Sequence, residues 1–501
     1  MVEGVDAHVV VIGAGIAGLA AAHRLAGTPG LAVTVLEGAP QIGGKLQVSE
    51  IAGVPVDEGA ESMLARRPEG LDLVEGLGLG GTLVHPGTTT AAILSHGALR
   101  PMPSGQVMGV PTDLKALAKS QVLSPAGLAR VPLDLVTRPT PRGGDVSVAD
   151  YVGARLGREL VDRLVEPLLG GVYAGRVEEL SFEATLPQIA GPARTHRSLI
   201  AAARAVKAAA PQNAGPVFAT LAGGLGTLPG HLAAAVEAAG GTVRTGAMVR
   251  DLRRTPDGWT LTIGPTREPE FMTADAVIVA VPAAPASLLL ADEVPAASRE
   301  LARIDYASMA IVTLAYSGTA FPALPRGSGY LTPAVEGRQV KAVTFSTVKW
   351  PHLAEVRPGT VVVRASIGRY GDEHLLQRSD DELKAAAMAE LADTCGAGEL
   401  PIDSRVTRWG GGLPQYVVGH ADRVARIRAA TSQVPGLAIA GAAYDGLGIP
   451  ACIGTARAAA ARILNHLRSE EESSHGQAQS TGPEQGDPLH DVVRLPGEDS
   501  G

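Results

Sequence analysis

Residues 9–18 read Val9-Val10-Val11-Ile12-Gly13-Ala14-Gly15-Ile16-Ala17-Gly18. Four consecutive apolar residues suit a strand buried on both faces. The glycines after them make a tight turn, and the apolar stretch from Leu19 reads as a helix. A second strand runs from Ala32 to Leu36 and ends at Glu37. Strand, glycine turn, helix, strand and acid in this order form a βαβ unit built to hold a dinucleotide. Gly13 permits the turn out of the strand, Gly15 lets the backbone approach a pyrophosphate, and Gly18 lets the helix pack on the sheet. The helix N-terminus aims free N–H groups and its positive dipole end at the phosphates. Glu37, at the tip of the second strand, is placed to accept both ribose hydroxyls and repels a 2′-phosphate.

The rest of the composition narrows the class. The chain has 501 residues, 45% hydrophobic and only 3% aromatic, so Ala, Val and Leu must build the cores. A net charge of −8 gives no reason to expect nucleic acid or an acidic membrane as partner. Two cysteines, Cys395 and Cys452, make neither a disulfide scaffold nor a zinc site. Met1-Val2-Glu3-Gly4 carries no basic segment of a secretory signal. The longest uncharged apolar stretch, Ala276 to Leu290, contains Pro282 and Pro285 and is too short to span a bilayer. A cytoplasmic protein is expected, with peripheral membrane contact left open.

Further along, 111–206 reads as largely helical. A strand pair is expected from Thr242 to Ile263, turning at Pro256-Asp257-Gly258. Ala274 to Val281 reads as a buried strand, 310–367 as an antiparallel sheet, and Asp381 to Ala392 as a helix. Gly436 to Leu467 reads as strand, glycine turn and long alanine-rich helix. After Arg468 the sequence turns to Ser, Glu, Gln, Gly and Pro, and 468–501 is expected to be a disordered tail.

Two glycine segments favour FAD over a nicotinamide. Gly43-Gly44-Lys45 follows the ribose acid, and Lys45 can neutralise phosphate or the charge of a reduced flavin. Gly441-Ala442-Ala443-Tyr444-Asp445-Gly446-Leu447-Gly448-Ile449-Pro450 precedes the last helix, whose N-terminal amides would face the flavin ring. The expected class is mixed α/β: a Rossmann-like FAD-binding domain, an antiparallel-sheet substrate domain and a helical insertion. The FAD-binding domain is assigned to 1–85, continued by 215–290 and 405–467. The sheet domain takes 86–110 and 291–404, and the insertion 111–214.

At this point the chain resembles a known family, the amine-oxidase and protoporphyrinogen-oxidase flavoproteins. Several stretches resemble one branch of it, the bacterial porphyrinogen-oxidising flavoproteins and above all the coproporphyrinogen III oxidases. These are Gly43 to Ser62, Leu99 to Gly105, Glu166 to Gly175, Lys349 to His352, Arg408 to His420 and Gly446 to Cys452. The resemblance implies FAD contacts at Gly13 to Gly18, at Glu37 with Gly38, at Lys45, and at Gly59-Ala60-Glu61-Ser62. It also implies an adenine contact at Val249, a flavin neighbour at Trp409, and the turn Gly448-Ile449-Pro450. Some members link the flavin through a cysteine in that last turn; Gly441 to Tyr444 contains none, so non-covalent FAD is expected.

The substrate implied is a porphyrinogen, with dioxygen as acceptor. Its propionates call for cations, with Arg67 first, then Arg66 and Lys349. Tyr173 and its glycine neighbours are expected to line the cavity. No residue stands out as an obligatory base, and His96, His352 and His420 read as structural. Protoporphyrinogen IX is the alternative substrate. Amine oxidation, carotenoid-type desaturation and a non-catalytic tetrapyrrole carrier remain further readings on the same fold.

Overall fold

The computed structural model describes residues 7–137, 144–210 and 215–480. At its centre is a parallel sheet of five strands, in the order Thr242–Arg244, Leu31–Leu36, Ala7–Ile12, Ala276–Val279, Leu437–Ile439. The first strand pairs on both sides, Val9 with Val33 and with Ala276. Alternation along it divides two cores. Val9 and Val11 face the layer formed by helices Ile16–Leu25, Leu228–Ala238 and Ile449–Ser480. Val10 and Ile12 face the opposite layer with Trp259, Leu261 and Leu301. Cover on both faces, by helices on one side and by strand Gly258–Ile263 and helix Pro295–Leu301 on the other, explains why this strand is apolar throughout.

The second sheet has seven strands, in the order Asp403–Pro414, Tyr306–Ser317, Thr360–Ile367, Val340–Phe345, Gly329–Leu331, Ala92–Ser95, Ala98–Pro101. Its pairings are antiparallel except between Gly329–Leu331 and Ala92–Ser95. Helix Asp380–Cys395 covers one face through Leu383, Ala387 and Leu391. The boundary expected between 404 and 405 falls inside the edge strand Asp403–Pro414, which pairs with Tyr306–Ser317 along its length.

Between Pro111 and Phe218 the described elements are helical and share one core around Val152, Leu164 and Ile200. A buried ion pair anchors them: Arg155 Nε donates to Asp134 Oδ1 at 2.6 Å, and Ser198 and the Ile200 N–H donate to Oδ2.

Three local expectations need correction. The segment Thr242 to Ile263 is not one hairpin: Thr242–Arg244 joins the parallel sheet beside Leu31–Leu36. Val249–Thr255 and Gly258–Ile263 do pair, with Glu270–Ala274 as a third strand. The apolar run at Ala274 is therefore broken, because Ala274 ends that third strand and the buried strand is Ala276–Val279. The last helix continues to Ser480, past the expected start of the tail. Glu, Gln and Ala there favour helix, and the first proline is Pro483. Residues 481–501, the rest of the expected tail, lie outside the described residues. Among the described residues no helix is long and apolar enough to cross a membrane.

Candidate active site

The first turn is tight for the reasons its glycines suggest. Gly13 has φ +104°, and a Cβ there would lie 2.8 Å from the Ala280 carbonyl oxygen. A Cβ on Gly18 would lie 1.8 Å from the Gly13 carbonyl oxygen. On Gly15 it would meet nothing within 4 Å, because that face opens into a cavity. Gly15 caps helix Ile16–Leu25 without a side-chain hydrogen bond, which leaves the first amides of the helix available to an anion. The Glu37 carboxylate accepts from the Ala14 and Ala39 N–H groups, each at 2.8 Å, and so is fixed against the turn. Gly43 donates to the Ala14 carbonyl at 2.8 Å, bringing the Gly43-Gly44-Lys45 segment alongside.

The cavity has a volume of about 540 Å³, within the range of small-molecule and cofactor sites. One end is lined by Gly13, Gly15, Ile16, Ala17 and Glu37, and the other by Gly441, Ala442, Ala443, Leu447, Ile449 and Cys452. Lys45, Gly59, Ala60 and Trp409 line it as well. Met309 and Ile311 face it from the seven-stranded sheet, on the side opposite Ala310 and Val312.

Its wall at Gly59–Ala60 belongs to the segment Asp57-Glu58-Gly59-Ala60-Glu61, which is held at nearly every residue. Asp57 accepts from the Leu225 and Gly226 N–H groups at 3.1 and 2.7 Å. The Glu58 carboxylate accepts from Arg405 Nη1 at 2.8 Å and from the hydroxyls of Ser49 and Thr407. Trp409 Nε1 donates to the Glu58 carbonyl at 2.9 Å. Arg364 Nη2 donates to the Gly59 carbonyl and Nη1 to Glu61 Oε2, both at 2.6 Å. Lys349 Nζ donates to Glu61 Oε1 at 2.5 Å. Burial alone would raise the Glu61 pKa, but the two cations outweigh it and hold the carboxyl at about 2. Burial pushes Asp57 up to about 6, against its two backbone donors.

Residues 16–464 match the family of flavin containing amine oxidoreductases. This chain belongs to that family. It lies in the branch that holds the bacterial coproporphyrinogen III oxidases. The coproporphyrinogen III oxidase of Bacillus subtilis is 33% identical, over 92% of this chain and 99% of its own. That of Mycobacterium tuberculosis is 37% identical, over 92% and 98%. The crystal structure of a candidate protoporphyrinogen oxidase from Exiguobacterium sp. 255-15 superposes with a TM-score of 0.80 at 33% identity, over 92% of this chain and 99% of that one. The chain is thus an oxidoreductase of a flavin-containing family.

The remaining residues singled out in the sequence are placed as follows. Ala14 and Gly18 support the first turn from outside the cavity lining. Gly38 packs on Met248, where an added Cβ would come within 2.6 Å of Met248 Cε. Ala247 donates to the Glu37 carbonyl at 2.7 Å, so Val249 begins its strand close to the acid despite the distance in sequence. Pro450 lies over Gly70, and Gly448 accepts from the Cys452 N–H at 3.0 Å. Ser62 is half-buried beside Glu61.

The expected substrate residues are outside the cavity lining. Arg66 and Arg67 are exposed, and Arg67 Nη2 donates to Glu69 at 2.6 Å just before helix Pro68–Gly76. Lys349 is committed to Glu61. Tyr173 is buried against Tyr416, while its neighbours Gly171 and Val172 reach the cavity.

Residues that the sequence did not single out complete the site. Ala280, Val281 and Pro282 lie where the strand Ala276–Val279 ends, and Tyr306, Met309, Ile311 and Gly412–Pro414 come from two paired strands of the other sheet. For Met309 and Ile311 the signal was apolar alternation, which marks a sheet face but not what covers it; Gly412–Pro414 lie in the resembling stretch Arg408 to His420, which gave them no individual role. Tyr416 lies in the same stretch. Its hydroxyl donates to the Ala442 carbonyl, and its ring stacks on His420 at 3.9 Å. Burial lowers the His420 pKa to about 4, which favours the neutral imidazole.

Proposed function

We propose that this chain is an FAD-dependent oxidase that converts coproporphyrinogen III to coproporphyrin III in haem biosynthesis, with dioxygen as acceptor. The observation that carries the reading is one cavity running from the glycine turn to the N-terminus of the last helix, with an apolar wall supplied by the second sheet. The cradle fits FAD. Gly15 and Gly441 line the cavity, and a Cβ on either would enter open space. The Ile16 helix would receive the pyrophosphate, Glu37 the ribose, and the amides near Ile449 the pyrimidine side of the ring.

When bound, FAD supplies a two-electron acceptor and passes the electrons to dioxygen. The chain supplies orientation and a dry environment. Met309, Ile311, Leu413 and Val172 would lie against the macrocycle and exclude water. Burial pushes the Tyr306 hydroxyl and the Cys452 thiol up to about 12, so both stay protonated and neither is a base at neutral pH. A protonated Cys452 also fits a flavin bound without a covalent link. Burial lowers the pKa of the Lys45 ammonium below the usual lysine range. Lys45 is the one cation lining the cavity among the described residues. It is placed for phosphate or a reduced ring, rather than for four propionates.

The propionates then remain outside, where burial would not tax their charge, with exposed Arg66 and Arg67 proposed as partners. Six electrons and six hydrogens leave the substrate in three rounds, and three dioxygen molecules become three hydrogen peroxide. We place the enzyme in the cytoplasm, on its two free thiols.

The test is an aerobic assay of the purified yellow protein on coproporphyrinogen III and on protoporphyrinogen IX. Porphyrin fluorescence with three peroxides per porphyrin, and a higher kcat/KM on the first substrate, is expected. A flavin-loaded sample that leaves both untouched refutes the reading.

A further inference from the structure

Gly59 and Ala60 line the large cavity, but Glu61 lines a second chamber of about 20 Å³. Asp57, Thr220, Ser346, Trp350 and Arg364 also surround it. Four of these residues hold a buried polar atom with no protein partner: Thr220 Oγ1, Ser346 Oγ, Trp350 Nε1 and Arg364 Nε. All four residues are more than nine-tenths buried. Buried polar groups without partners are rare in folded proteins. Four of them belong to residues that line this one chamber.

We infer that this chamber is a built site for a single water molecule, which secures Arg364 and through it the wall of the large cavity. The volume suits one water, which needs about 10–15 Å³. The lining matches its hydrogen bonds. An indole N–H and a guanidinium N–H can only donate, and two hydroxyl oxygens can accept, so one water accepts twice and donates twice. A cation gains nothing from the two obligate donors. An anion would face the carboxylates of Glu61 and Asp57 in the same lining.

The water takes the one Arg364 nitrogen without a protein partner, Nε. Of the other two nitrogens, Nη1 donates to Glu61 and Nη2 to the Gly59 carbonyl. Arg364 stands on strand Thr360–Ile367 of the second sheet, so the link joins that sheet to the cavity wall. Arg364 is thus a positioning residue for the surface on which the flavin rests. This functional half rests on the flavin reading above; the water site does not.

A high-resolution crystal structure of the flavin-loaded protein, with a bromide soak, tests the site. One water bonded to the four named atoms is expected. A chamber without density, or an anomalous bromide peak in it, overturns the site. The role is tested by Trp350→Phe, which removes one donor and keeps an aromatic ring. Its FAD Kd should rise about threefold to tenfold, with the KM for coproporphyrinogen III unchanged. Ser346→Ala gives the same reading if the first variant does not fold. An unchanged FAD Kd in a variant that has lost the water refutes the positioning role. A wild type with the water in place that takes up no flavin refutes the flavin reading instead.

Discussion

The Tyr416 hydroxyl donates to the Ala442 carbonyl at 2.6 Å, and the same oxygen accepts from the Gly446 N–H at 2.8 Å. One phenol oxygen therefore braces both ends of the turn that closes the cavity. Tyr416→Phe removes both bonds and little volume. Each is worth about 1 kcal/mol net, so the FAD Kd should rise by up to about thirtyfold. Titrating apoprotein with FAD by flavin fluorescence measures this.

Gly15→Ala and Gly18→Ala should separate binding from folding. The methyl on Gly15 meets no protein atom and enters the cavity, so the fold should persist while FAD affinity falls at least tenfold. The methyl on Gly18 would overlap the Gly13 carbonyl oxygen, so the helix must move off the sheet. Thermal unfolding of the two apoproteins should show near wild-type stability for the first and a large loss for the second.

Glu61 sets an acid limit. Its folded pKa, about 2, lies below its ordinary value of 4.5. The stability it contributes is therefore complete above pH ~4.5 and is lost as pH falls toward 2. Glu61→Gln should flatten the stability profile across that window. It should also weaken the protein at pH 7 by about 3 kcal/mol, because Lys349 and Arg364 lose their buried counter-charge. Urea midpoints between pH 2.5 and 7 measure both.

Asp134 is fully buried, and Arg155 nearly so. Asp134→Ala leaves the guanidinium without its carboxylate and should cost about 3–5 kcal/mol. The loss should fall on the helices between 114 and 209, whose core is separate from that of the first turn. Limited proteolysis should then cut this region first, while the flavin absorbance of the remaining folded protein stays unchanged.

Much of this architecture was legible in the primary sequence because the signals are local. The run Val9 to Ile12, the glycines after it and Glu37 specify one βαβ unit within a single short stretch, and each glycine has a backbone reason that can be stated without a fold. The last glycine turn was legible for the same cause. Arg67 and Lys349 show the limit. A cation near a motif looks the same whether it faces solvent, a ligand or a carboxylate. Lys349 meets Glu61 across 288 positions, and no local pattern reports that pairing.

The sequence by itself determined the dinucleotide unit, the alternation of the antiparallel sheet and the helical character of the insertion, since backbone geometry and side-chain period are written in neighbouring residues. Only the tertiary structure decided how Asp57 to Glu61 is held, which sheet face covers the cavity, and that Tyr416 braces the final turn. Those arrangements depend on charges and hydroxyls brought together from distant segments, and their partners are chosen by burial rather than by spacing.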